Sequence, residues 1–76
     1  MEEKYIALQK KIGKELKEER LKRNLYLSEV QDLTGLKIEH ISRTENGKFN
    51  LTLRKLHEYA AAYNLEPVIT FKKIKK

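Results

Sequence analysis

The stretch LSEVQDLTGLKIEHISRTENG, residues 27–47, decides how this chain is read. Val30 and Leu33 stand three apart, as on one face of a short helix. Ser28 either caps the start of that helix or sits in its first turn, with Glu29 and Asp32 close behind. Thr34-Gly35 ends it, because glycine tolerates the left-handed backbone that a helix exit commonly needs. After Leu36, residues 37–45 read as a second helix with Ile41 buried and Glu39, His40 and Arg43 on other faces. Asn46-Gly47 stops this second helix. The pattern is therefore two short helices joined by a glycine turn, the second carrying exposed polar side chains.

Working outward, residues 3–23 place Tyr5 or Leu8, then Ile12, then Leu16 every three or four positions, the period of one helical face. Gly13 interrupts this pattern at a cost of about 1 kcal/mol relative to alanine. Asn24 reads as the stop. Downstream, residues 48–51 form a loop, and Thr52 or Asn50 caps a fourth helix whose apolar stripe is Leu53, Leu56, Tyr59 or Ala60, and Tyr63. Asn64 is the expected exit, and Pro67 bars further helix. The spacing of Tyr59 and Tyr63 suits packing in a core or dimer contact better than stacking on bases. The expectation is an all-α domain with one core.

Length and composition restrict what such a domain can do. The 76 residues permit one compact core and leave little room for an enclosed enzyme pocket. Folding must rest on apolar burial, since the chain has no cysteine for a disulfide or a thiolate site. So small a core has a narrow stability margin, which dimerisation would widen. Seventeen Lys and Arg against eleven Asp and Glu leave a formal charge of +6, which favours a polyanionic partner over an anionic membrane or an acidic protein. Residues 1–7 lack the long apolar run of a signal peptide, and no stretch approaches a membrane span, so a cytoplasmic protein with no membrane partner is expected. There is no phosphate-cradling glycine motif, no supported Ser-His-Asp triad and no spaced metal cluster. No catalytic residue, cofactor or metal is expected, and neither His40 nor His57 is read as catalytic.

A helix braced by a partner across a short turn can be presented to a DNA major groove about 12 Å wide. The residues that carry a closer likeness are Ile12-Gly13, Thr34-Gly35-Leu36, Ile41-Ser42-Arg43, Glu45-Asn46-Gly47-Lys48 and the run 53–62. On these residues the chain, from about Ile12 to Leu65, resembles the phage-repressor and Cro-like helix-turn-helix family, which includes small antitoxin-like regulators. The resemblance implies a compact four- or five-helix, lambda-repressor-like domain over residues 1–66 that binds double-stranded DNA as a symmetric dimer. It also implies a groove-facing set of Lys37, Ile38, Glu39, His40 and Arg43. Of these, Arg43 has the sharpest physical case, since a guanidinium can donate two bonds to guanine O6 and N7. Glu39 can accept from cytosine N4 but otherwise repels the backbone.

Ser28, Asn46, Lys48, Asn50 and Thr52 are the corresponding phosphate-contact candidates, aided by backbone amides at the starts of the second and fourth helices. Lys10, Lys14 and Lys17 either extend this positive surface or only keep the first helix soluble. Arg20 and Glu45 match positions that form an internal ion pair orienting the reading helix in similar proteins. Four positions depart from the family pattern. Leu27 stands where a phosphate-contacting glutamine is common, Gln31 replaces a small apolar residue, Thr44 a larger apolar one, and Lys37 a small polar cap.

Residues 67–76 form a basic extension in which Val68, Ile69, Thr70 and Phe71 have strand propensity. A lone strand cannot satisfy its own ladder, so this segment is either a short β-strand paired with a second subunit or partner, or simply a basic tail. The functional expectation is sequence-specific DNA binding and transcriptional regulation, as a repressor on a palindromic operator. The alternatives are an antitoxin-like regulator that also binds a cognate toxin, and a protein-interaction adaptor without selective DNA binding.

Overall fold

The computed structural model describes residues 1–75. Four helices follow one another: α1 (Glu2–Lys22), α2 (Leu27–Thr34), α3 (Ile38–Glu45) and α4 (Leu53–Ala62). The fold is all-α, as the periodicity implies. Leu16 of α1, Val30 of α2, Leu36 of the turn, Ile41 of α3 and Tyr59 and Tyr63 at the end of α4 make one core, with Ile12, Leu25, Leu51 and Leu56 packed against it. Tyr59 and Tyr63 are only 1% and 2% exposed, so both belong to the core of the single chain.

The helix ends are closed by the backbone itself. After α1, α3 and α4 the chain turns through Asn24, Gly47 and Asn64, all with positive φ. In each case the next amide reaches back five residues, from Leu25 to the Arg20 carbonyl, from Lys48 to Arg43 and from Leu65 to Ala60. These are Schellman closures, which satisfy carbonyls a helix end would otherwise strand. Thr52, one of the two capping residues the sequence allowed, caps α4 by accepting from the Lys55 amide at 3.1 Å. Ser28 is not a cap: α2 begins one residue earlier and places it in the first turn.

Gly13 has a structural reason that its cost in a helix conceals. A β-carbon there would lie 2.2 Å from the Thr44 carbonyl oxygen and 2.8 Å from that of Glu45, so α1 and α3 cross in near backbone contact. Gly47 serves the same crossing one turn away, combining a left-handed φ of 70° with the backbone of Lys10 beside it. At the other end of α1, Arg23 donates to the Tyr63 carbonyl at 2.8 Å and lies over the Tyr63 ring, joining α1 to the exit of α4.

The strand considered for residues 68–71 is absent: among the described residues no strand occurs, and residues 65–75 run without regular structure. The physical reason is that the chain offers this segment no neighbouring backbone with which to form a ladder. Lys76, the last residue of the expected extension, lies outside the described residues.

Candidate nucleic-acid interface

The site begins with what holds α3 in place. Ile41, Thr44 and Glu45 face inward and are buried. Glu39, Ser42 and Arg43 fall on the opposite side, at the i, i+3, i+4 spacing of one helical face, with Glu39 and Arg43 exposed and Ser42 half-buried. Ile38 and His40 flank this face and are half-buried, while Lys37 is an exposed residue at the N-cap. The five candidates for base contact therefore do not form a single surface. Arg43 and Glu39 share one with Ser42, a residue the sequence reading passed over although its helical position would have indicated it.

Arg20 and Glu45 meet through two parallel hydrogen bonds, Nε to Oε2 at 2.8 Å and Nη2 to Oε1 at 2.9 Å. The remaining Arg20 nitrogen, Nη1, donates to the Leu25 carbonyl at 2.9 Å, in the link between α1 and α2. One guanidinium thus joins α1, the start of the helix-turn-helix segment and the last turn of α3. The bond to Glu45 raises the Arg20 pKa against the opposing effect of burial, so the guanidinium keeps its charge despite being buried. Such a pair adds little net stability over apolar packing, but it dictates geometry, because a displaced partner leaves a buried charge alone.

Two of the departures from the family pattern meet at the start of α3. Lys37 makes no side-chain cap at the start of α3. Gln31, reaching across from α2, accepts from the Ile38 amide through its Oε1 at 3.0 Å. The first amide of α3 is satisfied by the glutamine, and the two helices are joined at their turn. Neither residue alone suggests this arrangement. At the start of α2, Glu29 performs the local version, accepting from the Tyr26 amide at 2.8 Å.

The loop after α3 carries most of the phosphate-contact candidates. Asn46, Lys48, Asn50 and Thr52 are all exposed. The Lys48 amide is already committed to closing α3, so Lys48 has only its ammonium to offer a ligand. Its neighbour Phe49 stacks on His40, with ring centroids 5.1 Å apart and planes inclined by 24°. This contact fixes the His40 ring against the loop. On the far side, Tyr5 and Gln9 of α1 hydrogen-bond to Asn50, and Gln9 also reaches the Phe49 carbonyl at 3.3 Å. Sequence reasoning had placed Tyr5 on the apolar face of α1 and had assigned no role to Gln9 or Phe49. Ser28 is exposed in the first turn of α2, where the leading amides have no acceptor inside the helix. Lys10 lies against Gly47, which brings one α1 lysine beside this loop.

Val68, Ile69, Thr70 and Phe71 lie on the tail. They border a groove of about 560 Å³ whose other walls come from α1 and α4, including Leu8, Ile12, Leu53 and Leu56, and of the phosphate-contact candidates Thr52 lines the same groove. Among the described residues there is no group of three metal-ligating side chains, and no helix is long and apolar enough to cross a membrane.

No curated protein matches the chain. A family model does match, the HTH_3 helix-turn-helix model, over residues 16–69, a span that includes the Arg20–Glu45 pair, the α2–α3 unit and the whole of α4. With an outward polar face on a braced second helix and that match over most of its length, the chain belongs to the helix-turn-helix family of DNA-binding regulatory domains, which regulate and do not catalyse.

Proposed function

We propose that the protein is a cytoplasmic transcriptional repressor that occupies a palindromic operator as a homodimer. Residues 1–66 are the DNA-binding domain and residues 67–76 the extension that joins it to a partner. The observation that carries this reading is the outward face of α3, where Arg43 stands exposed beside Glu39 and Ser42 while the opposite face is buried. In the bound state Arg43 reads a guanine edge, with Lys37, Ile38 and His40 at the flanks of the contact. Lys48, Asn46, Asn50, Ser28 and Thr52 hold phosphates around it. Two copies would place their α3 helices in successive major grooves about 34–36 Å apart, and occupancy obstructs polymerase.

The groove between α1, α4 and the tail supports the dimer. Val68 and Phe71 are 78% and 93% exposed, more apolar surface than a solitary small domain gains from leaving open. The same groove favours a second reading, an antitoxin-like regulator in which a cognate toxin occupies that surface and the DNA face is unchanged.

Selection of bound duplexes from a random pool, followed by sequencing, tests the proposal. The expected result is a two-fold symmetric site whose discrimination at one base pair per half-site falls by about 1–3 kcal/mol in Arg43→Ala. Recovery of duplexes with no common sequence would overturn the repressor reading in favour of an adaptor.

A further inference from the structure

The N-terminal half of α1 extends beyond the core, and its polar side chains meet the loop that follows α3. Gln9 Nε2 lies 2.8 Å from Asn50 Oδ1, 3.2 Å from the Tyr5 hydroxyl and 3.3 Å from the Phe49 carbonyl. Tyr5 donates its own hydroxyl to the same Asn50 oxygen. Asn50 is exposed, and both contacts fall on its carbonyl end. A primary amide has one acceptor end and one donor end, and rotation about its last bond exchanges them. Two donors from α1 settle that choice: the oxygen is held toward α1, and the NH2 group is left as the end available to an outside acceptor. A phosphate oxygen can only accept, so an amide held in this sense is a phosphate ligand, whereas the reversed amide would repel it.

We propose that Tyr5 and Gln9 are positioning residues of the DNA interface, orienting the Asn50 amide as a fixed donor to a backbone phosphate. The inference rests on the reading of α3 and its following loop as the DNA face. It assigns a binding role to the part of α1 that precedes the family match, which begins at residue 16. The role differs in kind from that of Lys48. The asparagine is neutral, so its loss removes a directed hydrogen bond without changing the number of cations displaced from the duplex, whereas loss of Lys48 reduces that number by about one.

The test is a double-mutant cycle on a selected duplex, comparing wild type, Gln9→Ala, Asn50→Ala and the double variant by fluorescence anisotropy across a series of salt concentrations. Lys48→Ala serves as the contrast, and thermal unfolding by circular dichroism confirms that each protein is folded. Each single variant should weaken binding about tenfold, as for a hydrogen bond to a charged group, and the double variant should bind no more weakly than Asn50→Ala. The slope of log K against log salt should be unchanged in these three and shallower by about one in Lys48→Ala. Tyr5→Phe, which removes one of the two donors, should lose about threefold.

Unchanged affinity in Gln9→Ala, or additive losses of about a hundredfold in the double variant, would overturn the proposal. So would a shallower salt slope in Gln9→Ala, because that would mean the loop had loosened as a whole. Failure of the wild-type protein to bind duplex would instead overturn the DNA reading of the face on which the proposal stands.

Discussion

Residues 27–47 and residues 66–75 are both rich in apolar side chains, yet the first covers all of its own but Leu33 at least in part while the second leaves its own exposed. In the first, Val30, Leu36 and Ile41 enter the core, and the turns between helices are closed by Gln31, by Glu29 and by backbone amides. In the second, Val68, Ile69, Phe71 and Ile74 remain exposed although each is as apolar as its counterparts. The difference lies in the backbone. A helix satisfies its own hydrogen bonds and then needs only a surface to pack on, whereas an extended segment needs a second backbone before burial becomes favourable. Apolar content predicts burial only where the chain also supplies a partner for the peptide groups.

The contrast can be broken most severely at Glu45. Glu45→Ala leaves the Arg20 guanidinium buried with only the Leu25 carbonyl, and unfolding stability should fall by about 3 kcal/mol, read from the urea midpoint at unchanged slope. A loss below about 1 kcal/mol would show that the helix-turn-helix segment is held by apolar packing alone.

High pH should produce the next largest effect. Burial, with the Glu45 charge as a lesser cause, pushes the Tyr63 phenol from 10.0 up to about 12, and burial raises Tyr59 as well. Tyrosine is neutral while protonated, so the Tyr63 contribution is complete below pH 10. It is lost as the pH rises toward 12, because the unfolded chain releases its proton first. For Tyr63 alone this amounts to roughly 2 kcal/mol, measurable as a fall in the urea midpoint from pH 9.5 to 11.5.

Gln31→Ala should cost about 1 kcal/mol, the value of a helix cap, by stranding the Ile38 amide. At the lower end, Phe71→Ser should change the stability of the dilute monomer by less than about 0.5 kcal/mol, because the ring buries almost nothing in the single chain. The same variant should weaken self-association in sedimentation if the exposed tail is the dimer contact. A destabilised monomer would mean that the tail already belongs to the core.

Much of the fold was legible because its signals are local. The helical period of Ile12 and Leu16, the stops at Asn24, Gly35, Gly47 and Asn64, and the Thr52 cap each depend on a few adjacent residues, and the structure has helices and exits at those places. Gly13 was legible only as a cost, since its reason is a carbonyl more than thirty residues away. At the site, the outward position of Arg43 follows from the same helical period, and the Arg20–Glu45 pairing was indicated by family likeness. The bond from the Ile38 amide to Gln31, the stacking of His40 on Phe49 and the hold of Tyr5 and Gln9 on Asn50 were not legible.

By itself the sequence settled the all-α class, where its helices stop and the overall positive charge, because helix formation and its termination are decided within one or two turns of chain. Only the tertiary structure decided which polar groups face one another and which end of the Asn50 amide is left free. Those outcomes depend on the closeness with which α1 crosses α3, a distance set by the missing side chain of Gly13 and by carbonyls that no local rule connects to it.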